Sequence, residues 1–347
     1  MKVFSLLFVA AALLIASGAP SSASAQDIKI QGRTFYRKGS PWLAKGIDVE
    51  AFSHAPRRRA GDKNAMLKMS YWAAPELNAM RDIFHANTIR MQISQADLDP
   101  QSSTYDPTYV SDILTGVRLA ERYGFAVVLV IDAQQDNVPS LSCMPSDSTM
   151  RAWKTLGPAV VHDDNVMLEP FNEPCKPLSD ETKQEWAQSM QALIDILRGI
   201  GSTNILLLDG LKDARTTNGL FPLVHDVIPN RLALAIHPYL GSDFSTREAW
   251  NSKFGASIRQ YPAIATEWNA TPRNGCAGKQ TPAVALSLLR YLEDAHIGLI
   301  GWAIDWPDPK LVKDHTNFEP TDFSSFTDCK DDSISGAGKL LARYPND

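Results

Sequence analysis

The sequence predicts a (β/α)8 TIM barrel preceded by a β-hairpin, on three observations. Eight apolar, β-branched-rich runs of strand length alternate with eight helix-like segments. Composition does not break between the first and the last, which favours a single closed unit. The first strand-to-helix turn carries no G-x-G-x-x-G, the opening of the competing doubly wound dinucleotide fold.

The strand runs are Leu43 to Ile47, Thr88 to Ile93, Ala126 to Asp132, Val166 to Asn172, Ile205 to Asp209, Leu232 to His237, Ala263 to Glu267 and Leu299 to Ala303. The helical segments are Pro75 to Ala86, Tyr109 to Tyr123, Thr149 to Val161, Asp180 to Ile200, a short one near Leu220 to Val227, Thr246 to Arg259, Pro282 to Ala295 and Ser335 to Arg343. Several open on a start signal: Ser179 before Asp180 and Glu181, and Thr281 before Pro282, have the form of an N-cap followed by acidic or proline first-turn residues. Ahead of the first strand, "IKIQGRTFYRKGSP" shows two short alternating runs around Gly32, a hairpin expected to plug the N-terminal end of the barrel.

Residues 1–25 read as a secretory signal peptide: Lys2, an apolar stretch from Val3 to Ile15, then small residues ending in Ala23-Ser24-Ala25 before Gln26. The apolar part is too short to span a bilayer comfortably, so the chain is expected to be secreted or periplasmic, with no membrane association after cleavage. Residues 26–347 are then expected to form one barrel domain, as a monomer. Removing Lys2 from the 34 basic residues leaves 33 against 39 acidic, a net charge of −6. A surface of that sign argues against nucleic acid as partner, because phosphate binding needs basic residues.

The four cysteines are an even number in an exported chain, the arithmetic of two disulfides, and no C-x-x-C pair suggests zinc. Cys143 follows strand three and Cys175 follows strand four; Cys276 follows strand seven and Cys329 lies after strand eight. Pairing neighbours, Cys143 with Cys175 and Cys276 with Cys329, avoids crossing the barrel mouth.

In a barrel of this kind function sits where the strands end. Those positions hold Asp48 and Glu50, Arg90, Asp132 and Gln134, Asn172 and Glu173, His237 and Tyr239, Glu267 with Trp268 and Asn269, and Trp302 with Asp305 and Trp306 beyond. Two carboxyls on separate strands facing one cavity, Glu173 and Glu267, are what glycosidic bond cleavage needs: a proton donor and a nucleophile or base. Two other readings use the same residues. One is a barrel that binds sugar without cleaving it; the other is a metal-dependent hydrolase using His237 with Asp132 and Glu267, which requires further clustered histidines.

The set resembles glycoside hydrolase family five, the cellulase-like family of barrel glycosidases, and the resemblance covers the chain from residue 26 onward. The family motif Asn-Glu-Pro on strand four is present as Asn172-Glu173-Pro174. The resemblance implies that Glu173 is the general acid/base and Glu267, on strand seven, the nucleophile. Arg90, His237, Tyr239 and Trp302 match the family's strand-two Arg, its His-x-Tyr and its strand-eight Trp in order. Where the family usually carries a His after strand three, "VIDAQQDN" offers Gln134 or Gln135. The implied activity is retaining hydrolysis of a β-linked glucan or mannan, with no cofactor and no metal. Chemistry assigns the rest: Arg90 and Tyr239 are expected to hold the Glu267 carboxylate ionised, Glu173 to be protonated beside that charge, Asn172 to bind the sugar 2-hydroxyl, and Trp302 to offer a flat platform to a pyranose.

Overall fold

The computed structural model describes residues 28–133, 142–272, 275–304, 310–330 and 335–346. The chain begins with a three-stranded antiparallel sheet of β1 (Ile28–Gln31), β2 (Thr34–Arg37) and β3 (Ser40–Pro41). Eight strands follow: β4 (Lys45–Val49), β5 (Thr88–Ser94), β6 (Ala126–Asp132), β7 (Val166–Glu169), β8 (Leu206–Asp209), β9 (Leu232–Ile236), β10 (Ala263–Trp268) and β11 (Gly298–Gly301). Each pairs in parallel with the next, and β11 returns to β4, so the barrel is closed. The expected fold class stands. At the β11–β4 seam the backbones approach so closely that a Cβ on Gly298 would lie 2.5 Å from the Ala44 carbonyl oxygen, a position only glycine fills.

The apolar runs are continuous because barrel strands are buried on both faces. Ala126 and Val128 point inward with Met167, Leu207, Ala235, Ile264 and Ile300, while Val127 and Leu129 pack outward against the helices. Ile28, Ile30, Phe35 and Trp42 join the inward cluster, so the N-terminal sheet does close the barrel's lower end. It has a third short strand beyond the expected hairpin. Arg37 fastens it, donating to Asn165 Oδ1 at 2.8 Å and to the carbonyls of Gly124 and Asn87 at 3.1 and 3.3 Å.

Element ends shift by a few residues in several places, and three departures have a physical reason in the chain. The segment expected as a helix near Leu220 forms only a single 3-10 turn at Phe221–Leu223, with Pro222 and Pro229 limiting anything longer. The helix expected from Thr246 is interrupted by a π-turn at Asn251–Gly255, where the Lys253 carbonyl is taken by the N–H groups of Thr217 and Asn218 at 3.0 and 3.1 Å. β7 ends at Glu169, not Asn172, because Pro170 supplies no ladder N–H.

Both disulfides form as the loop order implies, Cys143 with Cys175 and Cys276 with Cys329. The first is reinforced by the Cys175 N–H donating to the Cys143 carbonyl at 3.1 Å. The segment expected as a signal peptide, residues 1–25, lies outside the described residues. Among those residues no helix is long and apolar enough to cross a membrane.

Candidate active site

Only inward-facing strand positions reach the barrel mouth, so alternation along each strand decides which side chains meet. Arg90 on β5 is inward and fully buried. Its Nε and Nη2 donate to the two oxygens of Glu169 at 2.9 and 2.7 Å; Nη1 donates to Asp48 at 2.5 Å and to Glu267 at 2.8 Å; Nη2 also donates to Asn172 Oδ1 at 2.7 Å. One planar cation thus gathers carboxylates from β4, β7 and β10, a task that suits the guanidinium fork. Gln92 Nε2 donates to the other Asp48 oxygen at 2.9 Å.

A second group centres on His237, just beyond β9. Its Nδ1 lies 2.8 Å from Glu173 Oε1 and 3.9 Å from Glu267 Oε2. Its Nε2 lies 3.1 Å from Thr266 Oγ1, 3.5 Å from Glu169 and 3.8 Å from Asp209. The Tyr239 hydroxyl donates to Glu267 Oε1 at 2.9 Å. Carboxylate oxygens of Glu173 and Glu267 and a ring nitrogen of His237 all fall within 4.8 Å of one another.

Thr266 and Glu267 are consecutive, yet both turn into the mouth. The register between β10 and β11 shifts between Ala265 and Trp268, and such an irregularity re-aims a side chain that strict alternation would send outward. Glu173 reaches the mouth by another route. It follows Pro170 in the loop after β7, with φ 51 in the left-handed region, and its N–H donates to Asp209 Oδ2 at 2.7 Å.

Burial opposes the charge of Arg90, but Glu169, Asp48 and Glu267 outweigh it and push its pKa further up. Glu169 shows the reciprocal effect: burial alone would raise it, and Arg90 with His237 instead holds it at about 2. Asp48 and Asp209 are pushed well above the usual carboxylate range, first by burial, then by the neighbouring charges of Glu267 and Glu169 respectively. His237 would be lowered by burial, but the surrounding carboxylates, Glu267 and Asp209 foremost, raise it well above 6.5. For Glu267 the expectation from sequence needs correction. Arg90 does sit on it, and His237 and Tyr239 also favour its anion, but burial together with repulsion from Glu173 moves its pKa upward.

Six residues singled out in the sequence, Arg90, Asn172, Glu173, His237, Tyr239 and Glu267, therefore converge. Trp302 lies half-buried past β11, its N–H donating to the Trp268 carbonyl at 2.9 Å and its carbonyl accepting from Asn269 at 2.6 Å. Gln134, Gln135, Asp305 and Trp306 lie outside the described residues. Sequence reasoning missed Glu169, Thr266 and the part played by Asp209. Glu169 had a signal: a charge inside the apolar run "VMLEPF" belongs in a barrel's polar upper layer.

Among the described residues two sets of side chains have metal-like spacing, Glu169 with Asp209 and His237, and Glu173 with His237 and Glu267. Each contains a single imidazole, and Asp132 is in neither. Arg90 already supplies the positive charge to Glu169 and Glu267, so the donor sets fit an internal hydrogen-bond network better than a divalent ion.

The family model for cellulase (glycosyl hydrolase family 5) matches residues 58–306. The chain belongs to glycosyl hydrolase family 5. This family 5 chain is a glycoside hydrolase. Its barrel is similar to that of a β-glucanase from Saccharophagus degradans, at TM-score 0.65 and 20% identity over 86% of this chain and 90% of the other. It is also similar to the catalytic domain of a mannanase from Streptomyces sp. SirexAA-E, at TM-score 0.61 and 18% identity over 96% and 98% of the two chains. The catalytic domain of an endoglucanase from Thermobifida fusca matches at TM-score 0.60 and 13% identity over 91% and 96%. No curated protein sequence matches the chain.

Proposed function

We propose that this chain is a retaining β-glycosidase that hydrolyses a β-linked glucan or mannan by double displacement, with Glu173 as acid/base and Glu267 as nucleophile. The observation that carries the proposal is the spacing of the two carboxyls. Oxygens of Glu173 and Glu267 within 4.8 Å of each other suit the separation of about 5 Å at which the second carboxylate attacks the sugar directly, whereas inversion needs about 6.5–9.5 Å to admit water.

Glu267 is held by Arg90 and Tyr239, both donors to its ionised form, so of the paired carboxyls it is the one left free to attack the anomeric carbon. Glu173 faces His237 across 2.8 Å, a contact that orients its carboxyl, and the proton on that carboxyl is the one delivered to the leaving oxygen as the glycosidic bond breaks. Formation of the glycosyl ester removes the charge of Glu267. Glu173, now ionised, takes a proton from water as the water oxygen attacks the anomeric carbon; the bond to the Glu267 oxygen breaks, the carboxylate is regenerated and the sugar leaves with its configuration retained. Arg90 occupies the Asn172 oxygen, so the amide NH2 is left to donate to the sugar 2-hydroxyl. Trp302 supplies a platform for a pyranose, and Gln134 a further contact.

The neighbours described as β-glucanase, endoglucanase and mannanase support a glucan or mannan as substrate. The two disulfides support an exported enzyme; loss of residues 1–25 and action of residues 26–347 as a monomer belong to the same proposal.

Azide rescue tests the assignment. With an activated aryl β-glycoside, Glu173→Ala is expected to lose nearly all activity and to regain part of it with azide, giving a β-glycosyl azide. Glu267→Ala is expected to give the α-azide if any. Wild-type activity in both variants overturns the proposal.

A further inference from the structure

A non-glycine residue in the left-handed region is strained and persists only where its surroundings hold it. Glu173 is such a residue, at φ 51, and what holds it comes from the next strand. Asp209, the last residue of β8, is fully buried and accepts the Glu173 N–H through Oδ2 at 2.7 Å. Asp209 is itself anchored, since its backbone carbonyl accepts from Trp186 Nε1 at 2.7 Å. Its other oxygen, Oδ1, is buried with no hydrogen-bond partner among the described residues. An unused buried oxygen is unfavourable, so packing does not account for this carboxyl; its Oδ2 lies 3.8 Å from His237 Nε2, and its one hydrogen bond through the side chain among the described residues is the one to the Glu173 N–H.

The loop that follows β8 repeats the clamp. Lys212, Asp213 and Ala214 are all left-handed, at φ 55, 57 and 54. Their turn sends the Asp213 N–H to the Pro174 carbonyl at 3.1 Å and the Lys212 N–H to the Lys176 carbonyl at 2.9 Å, while the Ala214 carbonyl accepts the His237 N–H at 3.0 Å. β8 and its loop therefore fix Glu173, the chain after it and the backbone of the histidine it faces.

We infer that Asp209 is a positioning residue for Glu173: its bond to the Glu173 N–H holds the left-handed backbone that aims the carboxyl at His237 and at the leaving oxygen. The inference rests on the reading of Glu173 as acid/base. Asp209 acts through Glu173 and touches neither substrate nor nucleophile.

The test compares kcat/KM, which reports formation of the glycosyl ester, for dinitrophenyl and phenyl β-glycosides of one sugar. Dinitrophenolate leaves without a proton; phenolate needs one. Asp209→Ala is expected to lose about 100-fold on the phenyl substrate, the effect of an acid displaced by about 1 Å, and to stay within about threefold of wild type on the dinitrophenyl substrate, which does not use that acid. Asp209→Asn, whose amide oxygen accepts the same N–H, is expected to stay within about threefold on both. Should Asp209→Ala not yield folded protein, Asp209→Leu fills a similar volume without an acceptor and carries the same expectation. Equal losses on both substrates, no loss on the phenyl substrate, or an Asp209→Asn variant as deficient as Asp209→Ala overturns the inference. Glu173→Ala is measured alongside. If it shows no leaving-group dependence, the acid/base reading itself falls; if it does and Asp209→Ala does not, only the role of Asp209 falls.

Discussion

Replacing Arg90 by methionine removes the one guanidinium that joins Asp48, Glu169 and Glu267 and leaves a side chain of similar length in a fully buried position. The magnitude follows from Glu169, which Arg90 and His237 hold at about 2 against an ordinary 4.5. That difference corresponds to about 3 kcal/mol of stability at neutral pH. It agrees with the roughly 3–5 kcal/mol found when one partner of a buried ion pair is removed. The pH dependence has a defined sign. Because the folded value is depressed, the contribution is present in full above the unfolded value near 4.5 and is lost as pH falls towards about 2. In Arg90→Met burial raises the same carboxyl instead, so the variant loses stability as pH rises through 4.5. Urea denaturation of both proteins is therefore expected to show a gap of about 3 kcal/mol or more near pH 7, narrowing to less than half of that near pH 3. A gap below about 1 kcal/mol near neutral pH, or one independent of pH, refutes the view that Arg90 keeps the buried Glu169 carboxylate ionised.

Tyr239→Phe removes the hydroxyl that donates to Glu267 at 2.9 Å. A bond of that kind to an ionised group is worth about 1.5–3 kcal/mol, so kcat/KM is expected to fall about 10- to 100-fold. Losing a donor to the anion raises the carboxyl's pKa, so the acidic limb of kcat/KM should move to higher pH, and a stationary limb contradicts the contact. Each disulfide closes a long loop, with separations of 32 and 53 residues, and the chain-entropy relation gives about 4 kcal/mol for either. Replacing either pair by serine is expected to lower the urea midpoint accordingly. Non-reducing peptide maps should link Cys143 to Cys175 and Cys276 to Cys329, and a Cys175 to Cys276 peptide contradicts the structure.

The strands were legible because burial on both faces makes each barrel strand an unbroken apolar run, as in "AVVLVID". The site was legible where a polar residue ended such a run, as Glu173, His237 and Glu267 do, or where a charge lay inside one, as Arg90 does. Features set by neighbouring strands were not. Nothing local in "AIATEW" announces the register shift that turns both Thr266 and Glu267 inward. Asp209 read only as a strand end, because its partner is a backbone N–H in the loop after the neighbouring strand. The upward shift of the Glu267 pKa was hidden for the same reason: contact with Arg90 was foreseeable, but the burial that outweighs it is a property of the closed barrel. The missing helix near Leu220 is a limit of a different kind. Its apolar residues suit a helix, and Pro222 with Pro229 leaves room for one turn.

The double-displacement account stands most directly on a covalent bond between Glu267 and the sugar. A deoxyfluoro aryl glycoside, whose fluorine slows both steps and whose good leaving group spares the first, should inactivate the enzyme and accumulate the glycosyl ester. The account requires the protease-digested protein to carry the added sugar mass on the peptide containing Glu267 and nowhere else. Label on Glu173, or an unlabelled protein releasing product of inverted configuration, contradicts it.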